Sequence, residues 1–253
     1  MRRALIGHTG FVGSNLRQDG FSDFFNSRNF QRMSGERFDE VVCAGVSAVK
    51  WLANREPEND WAAIKTLIDV LEEAKIGRFT LISTIDVYPQ TGLALDEGEK
   101  LEDLDNHPYG RHRLLMEQWV RSRYPNHAVV RLPALFGPGL KKNALFDLLH
   151  GNQVSNINPA ARFQWYPLVR LADDLKTVAQ ERLELVNLFT EPVSMQTIID
   201  RLFPGAPVGP AVEPAPIYQL RTRHARLFGG ANGYVANAPS VMAAMDDFIC
   251  AHR

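Results

Sequence analysis

The sequence predicts an α/β protein built on a doubly wound parallel sheet, with a smaller lobe toward the C-terminus. Three observations carry that expectation. Short apolar runs that read as strands alternate with segments of helical periodicity, the pattern of parallel strands joined by crossover helices. The first such run, Ala4-Leu5-Ile6, leads straight into Gly7-His8-Thr9-Gly10-Phe11-Val12-Gly13, a glycine-spaced turn that opens a helix. From Phe136 onward the texture changes to sequence broken by proline and glycine, as in Phe136-Gly137-Pro138-Gly139 and Pro204-Gly205-Ala206-Pro207.

Taken in order, the strands are expected at Arg3 to Gly7, Asp23 to Ser27, Glu40 to Gly45, Phe79 to Ser83, Ala128 to Leu132 and Glu184 to Leu188. Little more than a dozen residues separate the first two, so the first helix is short. Asn29 to Phe38 cannot hold both a crossover helix and a strand, and this half of the sheet reads as trimmed. Between the third and fourth strands Trp61, Ile64, Leu67, Ile68 and Leu71 share one helical face, with Asn59 or Asp60 as the N-cap and Gly77 as the stop. A second helix runs from about Tyr109 to Arg123, its buried face continued by Met116, Val120 and Tyr124. Ala144 to Leu149 forms a short apolar helix. The last helix, Val241 to Ala251, turns Met242, Met245, Phe248 and Ile249 to one side.

Composition narrows the function classes. Hydrophobic residues make up 45% of the 253 positions and charged residues 23%, ordinary values for a globular enzyme with a sizeable core. A net charge of −1 points away from nucleic acid or an acidic membrane as the partner. Cys43 and Cys250 read as two reduced thiols rather than a disulfide framework, and no metal-ligand spacing is present. Met1-Arg2-Arg3 enters the first strand directly, and no apolar run approaches the roughly 20 residues of a membrane span. A cytoplasmic location is the expectation.

The glycine turn carries the first chemistry. A glycine at the first position permits the tight turn, one at the second lets backbone amides approach a pyrophosphate, and one at the third lets helix and strand pack closely. The helix N-terminus then offers free N–H groups and a positive dipole end to phosphate. The spacing here is Gly-x-x-Gly-x-x-Gly rather than Gly-x-Gly-x-x-Gly, and a glycine-rich turn without chemical consequence is the alternative. On the dinucleotide reading the fold is Rossmann-like, residues 1–137 form the NAD(P)-binding core, and residues 138–253 complete the sheet and supply the small substrate lobe.

Two further segments join it. Phe79-Thr80-Leu81-Ile82-Ser83-Thr84-Ile85-Asp86-Val87-Tyr88-Pro89 is a buried strand that ends in hydroxyls, where open α/β sheets gather ligands. Tyr109-Gly110-Arg111-His112-Arg113 sets a phenol and a cation four apart on one helical face. With Arg131-Leu132-Pro133-Ala134-Leu135-Phe136-Gly137-Pro138-Gly139 and Tyr166-Pro167-Leu168-Val169-Arg170-Leu171-Ala172-Asp173-Asp174, these segments resemble the extended short-chain dehydrogenase/reductase superfamily, the NAD(P)-dependent nucleotide-sugar epimerases and dehydratases. The resemblance covers about three quarters of the chain, Ala4 to Phe189.

That resemblance implies site residues. Thr84 takes the place of the catalytic serine or threonine, Tyr109 that of the catalytic tyrosine, and Arg113 that of the lysine in Tyr-x-x-x-Lys. Cofactor contacts are implied at Gly7, Thr9, Gly10, Phe11, Val12 and Gly13, at Ala44 and Gly45 after the third strand, and at Tyr109, Arg113 and Pro133. A phenol of pKa about 10 is a poor base at neutral pH, and a fixed cation beside it stabilises the phenolate. Arginine keeps that charge but cannot relay a proton, which bears on catalysis more than on cofactor binding. The dehydratases place an acid pair directly after the threonine; here those positions are Ile85 and Asp86, which disfavours dehydration and leaves epimerisation or carbonyl reduction. Asp86 reads as an auxiliary acid at the substrate or as a capping carboxylate.

No acid follows Asp23 at the end of the second strand, and Ser27-Arg28 is placed to meet a 2′-phosphate; NADP is the expected cofactor, NAD the second option, and a solvated arginine the plain alternative. Lys141, Lys142 and Asn143 precede an apolar helix and form a seat for a substrate diphosphate, or else a solvated lysine pair. The expected partner is a sugar or nucleotide sugar, with a homodimer as an option. The competing function is a non-catalytic NAD(P)-binding redox sensor or regulatory protein, which would have no need of Thr84 and Tyr109.

Overall fold

The computed structural model describes residues 1–102 and 105–252. All six expected strands lie in one sheet. β1 (Arg3–Ile6), β2 (Asp23–Phe25), β3 (Arg37–Cys43), β4 (Lys75–Thr84), β5 (His127–Leu132) and β9 (Leu185–Asn187) follow the order β2-β1-β3-β4-β5-β9. The β1–β2, β1–β3 and β3–β4 pairs are parallel, with Ile6 opposite both Phe25 and Cys43. The order therefore reverses between β1 and β3, and such a reversal opens a crevice beyond the strand ends. β6 (Ala134–Phe136) pairs parallel with β8 (Trp165–Pro167), and β7 (Arg162–Phe163) antiparallel with β10 (Val193–Ser194).

Contacts divide the chain into two interleaved units. The first holds Met1–Pro89, Lys100–Arg131 and Ala172–Val186; the second holds Gln90–Glu99, Leu132–Leu171 and Asn187–Arg253. The expected division at 137 assigns residues 138–253 to a region that completes the sheet; the chain leaves the first unit after β5 and comes back in α6 (Leu171–Gln180) and β9, because the last strand of the sheet lies far along the sequence.

The first unit packs Ala4, Ile6, Val41, Cys43, Phe79 and Leu81 of the sheet against α3 (Pro57–Glu73) and α4 (Pro108–Arg123). α3 buries Ile64, Leu67, Ile68 and Leu71, the predicted face. Its start corrects the expectation: the N-cap is Glu56, with Pro57 in the first turn, because proline's fixed φ begins the helix earlier. Asp60 is thereby left within the helix, free for another task. Gly77 is no helix stop either, since α3 ends at Glu73 and Gly77 lies inside β4. α1 (Phe11–Leu16) is a turn and a half, and a single 3-10 turn, Phe30–Met33, occupies the trimmed stretch.

The second unit has its own core, in which Phe136, Trp165, Val193 and Ile198 meet α5 (Ala144–His150), α7 (Met195–Leu202) and α8 (Ala238–Cys250). α8 buries Val241, Met242, Met245 and Ile249, with Phe248 half-buried beside them. Both cysteines are free thiols, and burial pushes that of Cys43 up to about 11. Among the described residues no helix is long and apolar enough to cross a membrane, and no cluster of side chains could hold a metal ion.

Candidate active site

The crevice is built by the turn that follows β1. Gly7 takes φ +85°, a left-handed conformation that side chains resist, and a Cβ there would collide with the carbonyl of Ala44 just beyond β3. A Cβ on Gly13 would collide with the Gly7 carbonyl, so the third glycine is required by helix–strand packing. Gly10 differs. Its backbone is extended, at φ −78° and ψ 170°, and the one atom a Cβ would approach is the Gly7 carbonyl oxygen at 3.3 Å. Beyond that oxygen the space in front of Gly10 is open, and no side chain caps the first turn of α1. The residues present therefore fit a pyrophosphate approached by backbone N–H groups.

Beside the turn, His8 directs Nε2 to the Asn26 amide at 3.3 Å, while its Nδ1 is buried without a partner. Burial, and then Arg17, hold the His8 imidazole below its ordinary value. Asn26 shapes the turn after β2: its Oδ1 accepts from the Arg28 N–H at 2.9 Å, and its own N–H donates to Asn29 Oδ1. Ser27 and Arg28 stand exposed at this strand end.

At the end of β4, Thr84 caps a 3-10 turn, its Oγ1 accepting from the Asp86 N–H at 3.2 Å. The first turn of α4 is laced onto that turn. Asn106 Nδ2 donates to the carbonyls of Asp86 at 2.9 Å and Val87 at 3.0 Å, and Gly110 leaves room for the Asp86 carbonyl, which a Cβ would strike. His107 caps α4 by accepting the Gly110 N–H on Nδ1, and the Asn54 Oδ1 of α2 (Lys50–Arg55) accepts from the Tyr109 N–H. Tyr109, 7% exposed, is thus held near Thr84, whose hydroxyl acts on its phenol. Burial pushes its phenol above the ordinary value; Arg113 and the Thr84 hydroxyl act the other way, and Asp86 and Asp60 raise it further.

Arg113 is 4% exposed; both of its terminal nitrogens are engaged, while Nε is buried without a partner. Nη1 and Nη2 meet the two carboxylate oxygens of Asp60 at 2.5 and 2.9 Å, and Nη2 also donates to the Ser47 carbonyl at 2.5 Å. The guanidinium carbon lies 3.9 Å from the Tyr109 ring centroid, a cation–π contact on the ring face. Asp60 also accepts from His112. Lysine has no planar fork to span both oxygens of one carboxylate, so Asp60 accounts for arginine at this position.

Behind the site lies a second charged network. Arg131 Nη2 and Nε bond Glu117 at 2.6 and 3.0 Å, Arg131 Nη1 bonds the Tyr88 hydroxyl at 2.9 Å, and Ser83, the neighbour of Thr84, donates to Glu117.

The remaining expected residues lie as follows. Thr9 and Gly10 are exposed, and Phe11 and Val12 half-buried, in the turn; Ala44 and Gly45 adjoin Gly7. Pro133 and the Lys141-Lys142-Asn143 segment belong to the second unit. Both lysines are exposed. Asn143 is spent on structure, capping α5 through the Phe146 N–H and donating to the Leu135 carbonyl at 2.9 Å. Sequence reasoning missed Lys50, Asp60, His107 and Asn54. None sits in a spaced motif, and only the carboxylate of Asp60 within an otherwise apolar helical face offered a signal.

Strand order, crossover connections and a glycine turn at the reversal define the class: a Rossmann-like α/β protein. The profile of the NAD dependent epimerase/dehydratase family matches residues 21–152, more than half of the chain, and this chain belongs to that family. No curated protein matches the sequence. Among solved structures, the dTDP-4-dehydrorhamnose reductase of Yersinia enterocolitica aligns with TM-score 0.76 at 15% identity over 100% of both chains. The UDP-glucose 4-epimerase of Thermotoga maritima, solved with UDP-glucose, gives 0.75 at 14% over 98% of this chain and 97% of that one. MoeE5, solved with UDP-glucuronic acid and NAD, gives 0.76 at 16% over 100% of both. At these identities the likeness is one of fold.

Proposed function

We propose that this protein is an NAD(P)-dependent oxidoreductase or epimerase acting at a carbonyl or secondary alcohol of a sugar or nucleotide sugar, with Tyr109 as the acid and base. The observation that carries the reading is the buried Tyr109 phenol beside Thr84, whose hydroxyl acts on it, at the strand edge that also bears the Gly7–Gly13 turn. The nicotinamide, when bound, supplies or accepts hydride at the substrate carbon. Thr84 holds the substrate oxygen, and Tyr109 gives that oxygen its proton in reduction and takes it in oxidation. Arg113 acts on the Tyr109 ring face and orients it. Family membership and nucleotide-sugar enzymes among the fold neighbours support the substrate class. Lys141 and Lys142 are the proposed contacts to a substrate diphosphate.

Gly10→Val tests the cradle. Its branched side chain would fill the open space before the turn, so binding of either cofactor should be abolished while far-ultraviolet circular dichroism stays native. Retained tight binding would reduce the glycine run to a turn.

NADP preference rests on Ser27 and Arg28 and on the lack of an acid in the turn after β2. NADPH should bind the unmodified protein more tightly than NADH in a fluorescence titration, and Arg28→Asp should reverse the order. Equal affinities before substitution would refute the assignment.

A further inference from the structure

A side-chain contact ties the turn after β2 to the glycine turn after β1, and its polarity can be worked out atom by atom. Asn26 Oδ1 lies 2.9 Å from the Arg28 N–H, and since a backbone N–H only donates, this bond fixes which end of the amide is the oxygen. Asn26 Nδ2 is thus the end that meets His8 Nε2, at 3.3 Å, and it meets it as a donor. Nε2 accepts. A neutral imidazole carries its single proton on the other nitrogen, so His8 is the Nδ1–H tautomer, and Nδ1 is the atom buried without a partner. Phe24 sets the ring from the side, in edge contact with centroids 5.6 Å apart.

Resting on the NADP reading above, we propose that His8 is a positioning residue for cofactor discrimination, whose Nε2 holds the Asn26 amide so that the turn after β2 presents Ser27 and Arg28 to a 2′-phosphate. Asn26 follows directly on the last residue of β2, the strand end at which an acid would accept from the ribose 2′-hydroxyl of NAD. Here that place holds an amide whose oxygen takes the Arg28 N–H and whose NH₂ is turned to His8. The side chain serves the turn. Buried polar groups are ordinarily bonded, and a donor left without a partner lowers stability. His8 keeps its hold on Asn26 although its Nδ1–H is left in that state, which marks the contact as more than a packing aid.

The remaining bonds of this turn close it on itself. Asn26 N–H donates to Asn29 Oδ1 at 2.7 Å, Asn29 Nδ2 to the Phe24 carbonyl at 3.1 Å, and the Phe30 N–H to the Asn26 carbonyl at 3.0 Å. They shape the loop, and His8 sets its side chain against the glycine turn. The two cofactors share a pyrophosphate and differ at the 2′-phosphate. A residue that only supported the glycine turn would therefore affect both alike, whereas one that positions Ser27 and Arg28 affects NADPH and leaves NADH nearly untouched.

The test titrates the full chain with NADPH and with NADH. His8→Leu removes the acceptor and keeps an apolar side chain of moderate size, while His8→Gln can set a carbonyl oxygen where Nε2 stands. His8→Leu should weaken NADPH binding about tenfold, the scale of one lost hydrogen bond, and move NADH by less than about twofold. Asn26→Ala should act in the same way, and His8→Gln should keep the NADPH-to-NADH ratio of the unmodified protein. Retained NADH binding shows that the cradle is folded; should His8→Leu fail to fold, Asn26→Ala carries the same comparison. Nitrogen NMR of the unliganded, histidine-labelled protein should show His8 protonated on Nδ1 alone, its signals assigned by their loss in His8→Gln. Equal weakening of both cofactors, an unchanged ratio in His8→Leu or Asn26→Ala, or a proton on Nε2 would overturn the inference. Those results would leave the NADP reading standing, since that is judged on the unmodified protein; equal affinities there would remove the reading and this inference with it.

Discussion

Tyr109→Phe should lower turnover by about 10²- to 10⁴-fold, the range typical of a lost general acid–base, while cofactor affinity hardly changes. The substitution removes the transferable proton but keeps the ring that rests on Arg113. Because burial first of all holds the phenol above its ordinary value, Tyr109 carries its proton at neutral pH. Carbonyl reduction should therefore run at a constant rate through neutrality and fall as pH rises through the phenol's raised value, and the oxidative direction should gain over the same interval. The assay follows NADPH absorbance across sugar and nucleotide-sugar carbonyls, with an isomer readout because epimerisation shows no net redox change. Arg113→Lys sharpens the result: a lysine cannot span Asp60 and Ser47, so an enzyme adapted to arginine should lose activity. If neither the unmodified protein nor Arg113→Lys turns over any substrate while cofactor binds tightly, the catalytic proposal fails and the non-catalytic sensor or regulatory reading becomes the better one.

The largest loss of stability should follow from Glu117→Ala. Glu117 and Arg131 are 1% and 3% exposed, and the carboxylate accepts from Arg131 and Ser83. Truncating one partner leaves a guanidinium buried without its counter-charge, which costs about 3–5 kcal/mol. Replacing both together, as in Glu117→Leu with Arg131→Met, should recover most of that loss, since an apolar pair of similar volume removes the stranded charge. Denaturant unfolding of the two variants checks the contrast. A loss below about 1 kcal/mol in Glu117→Ala would mean that Arg131 is satisfied elsewhere, by the Tyr88 hydroxyl or by water.

Much of the fold was legible because its signals are local. The strands announce themselves as apolar runs, Ile64, Leu67, Ile68 and Leu71 repeat at helical spacing, and Gly7 marks a backbone conformation that other residues resist. Where local rules competed, the weaker one misled. Asn59 and Asp60 are good capping residues, but Pro57 opened the helix first, and Gly77, plausible as a stop, is carried inside a strand by its pairing with β3. Asn143, read as a substrate contact, caps α5 through its side-chain carbonyl and donates from Nδ2 to the Leu135 carbonyl, a capping role with the same sequence signature.

Thr84 and Tyr109 could be picked out as a hydroxyl and a phenol of the right type, each at the end of an element, and the glycine turn could be recognised beside them. Those are properties of short segments, which a chain encodes in adjacent residues. Only the tertiary structure decided what surrounds the phenol. Asp60, 49 residues before Tyr109 in the chain, clamps Arg113, and Lys50, 36 residues before Asp86, opposes its charge. Ion pairs of this kind have no period and no spacing rule, because they are formed by the docking of α2 and α3 on α4. That docking is driven by apolar faces, and the sequence reports those faces without reporting which charges they bring together.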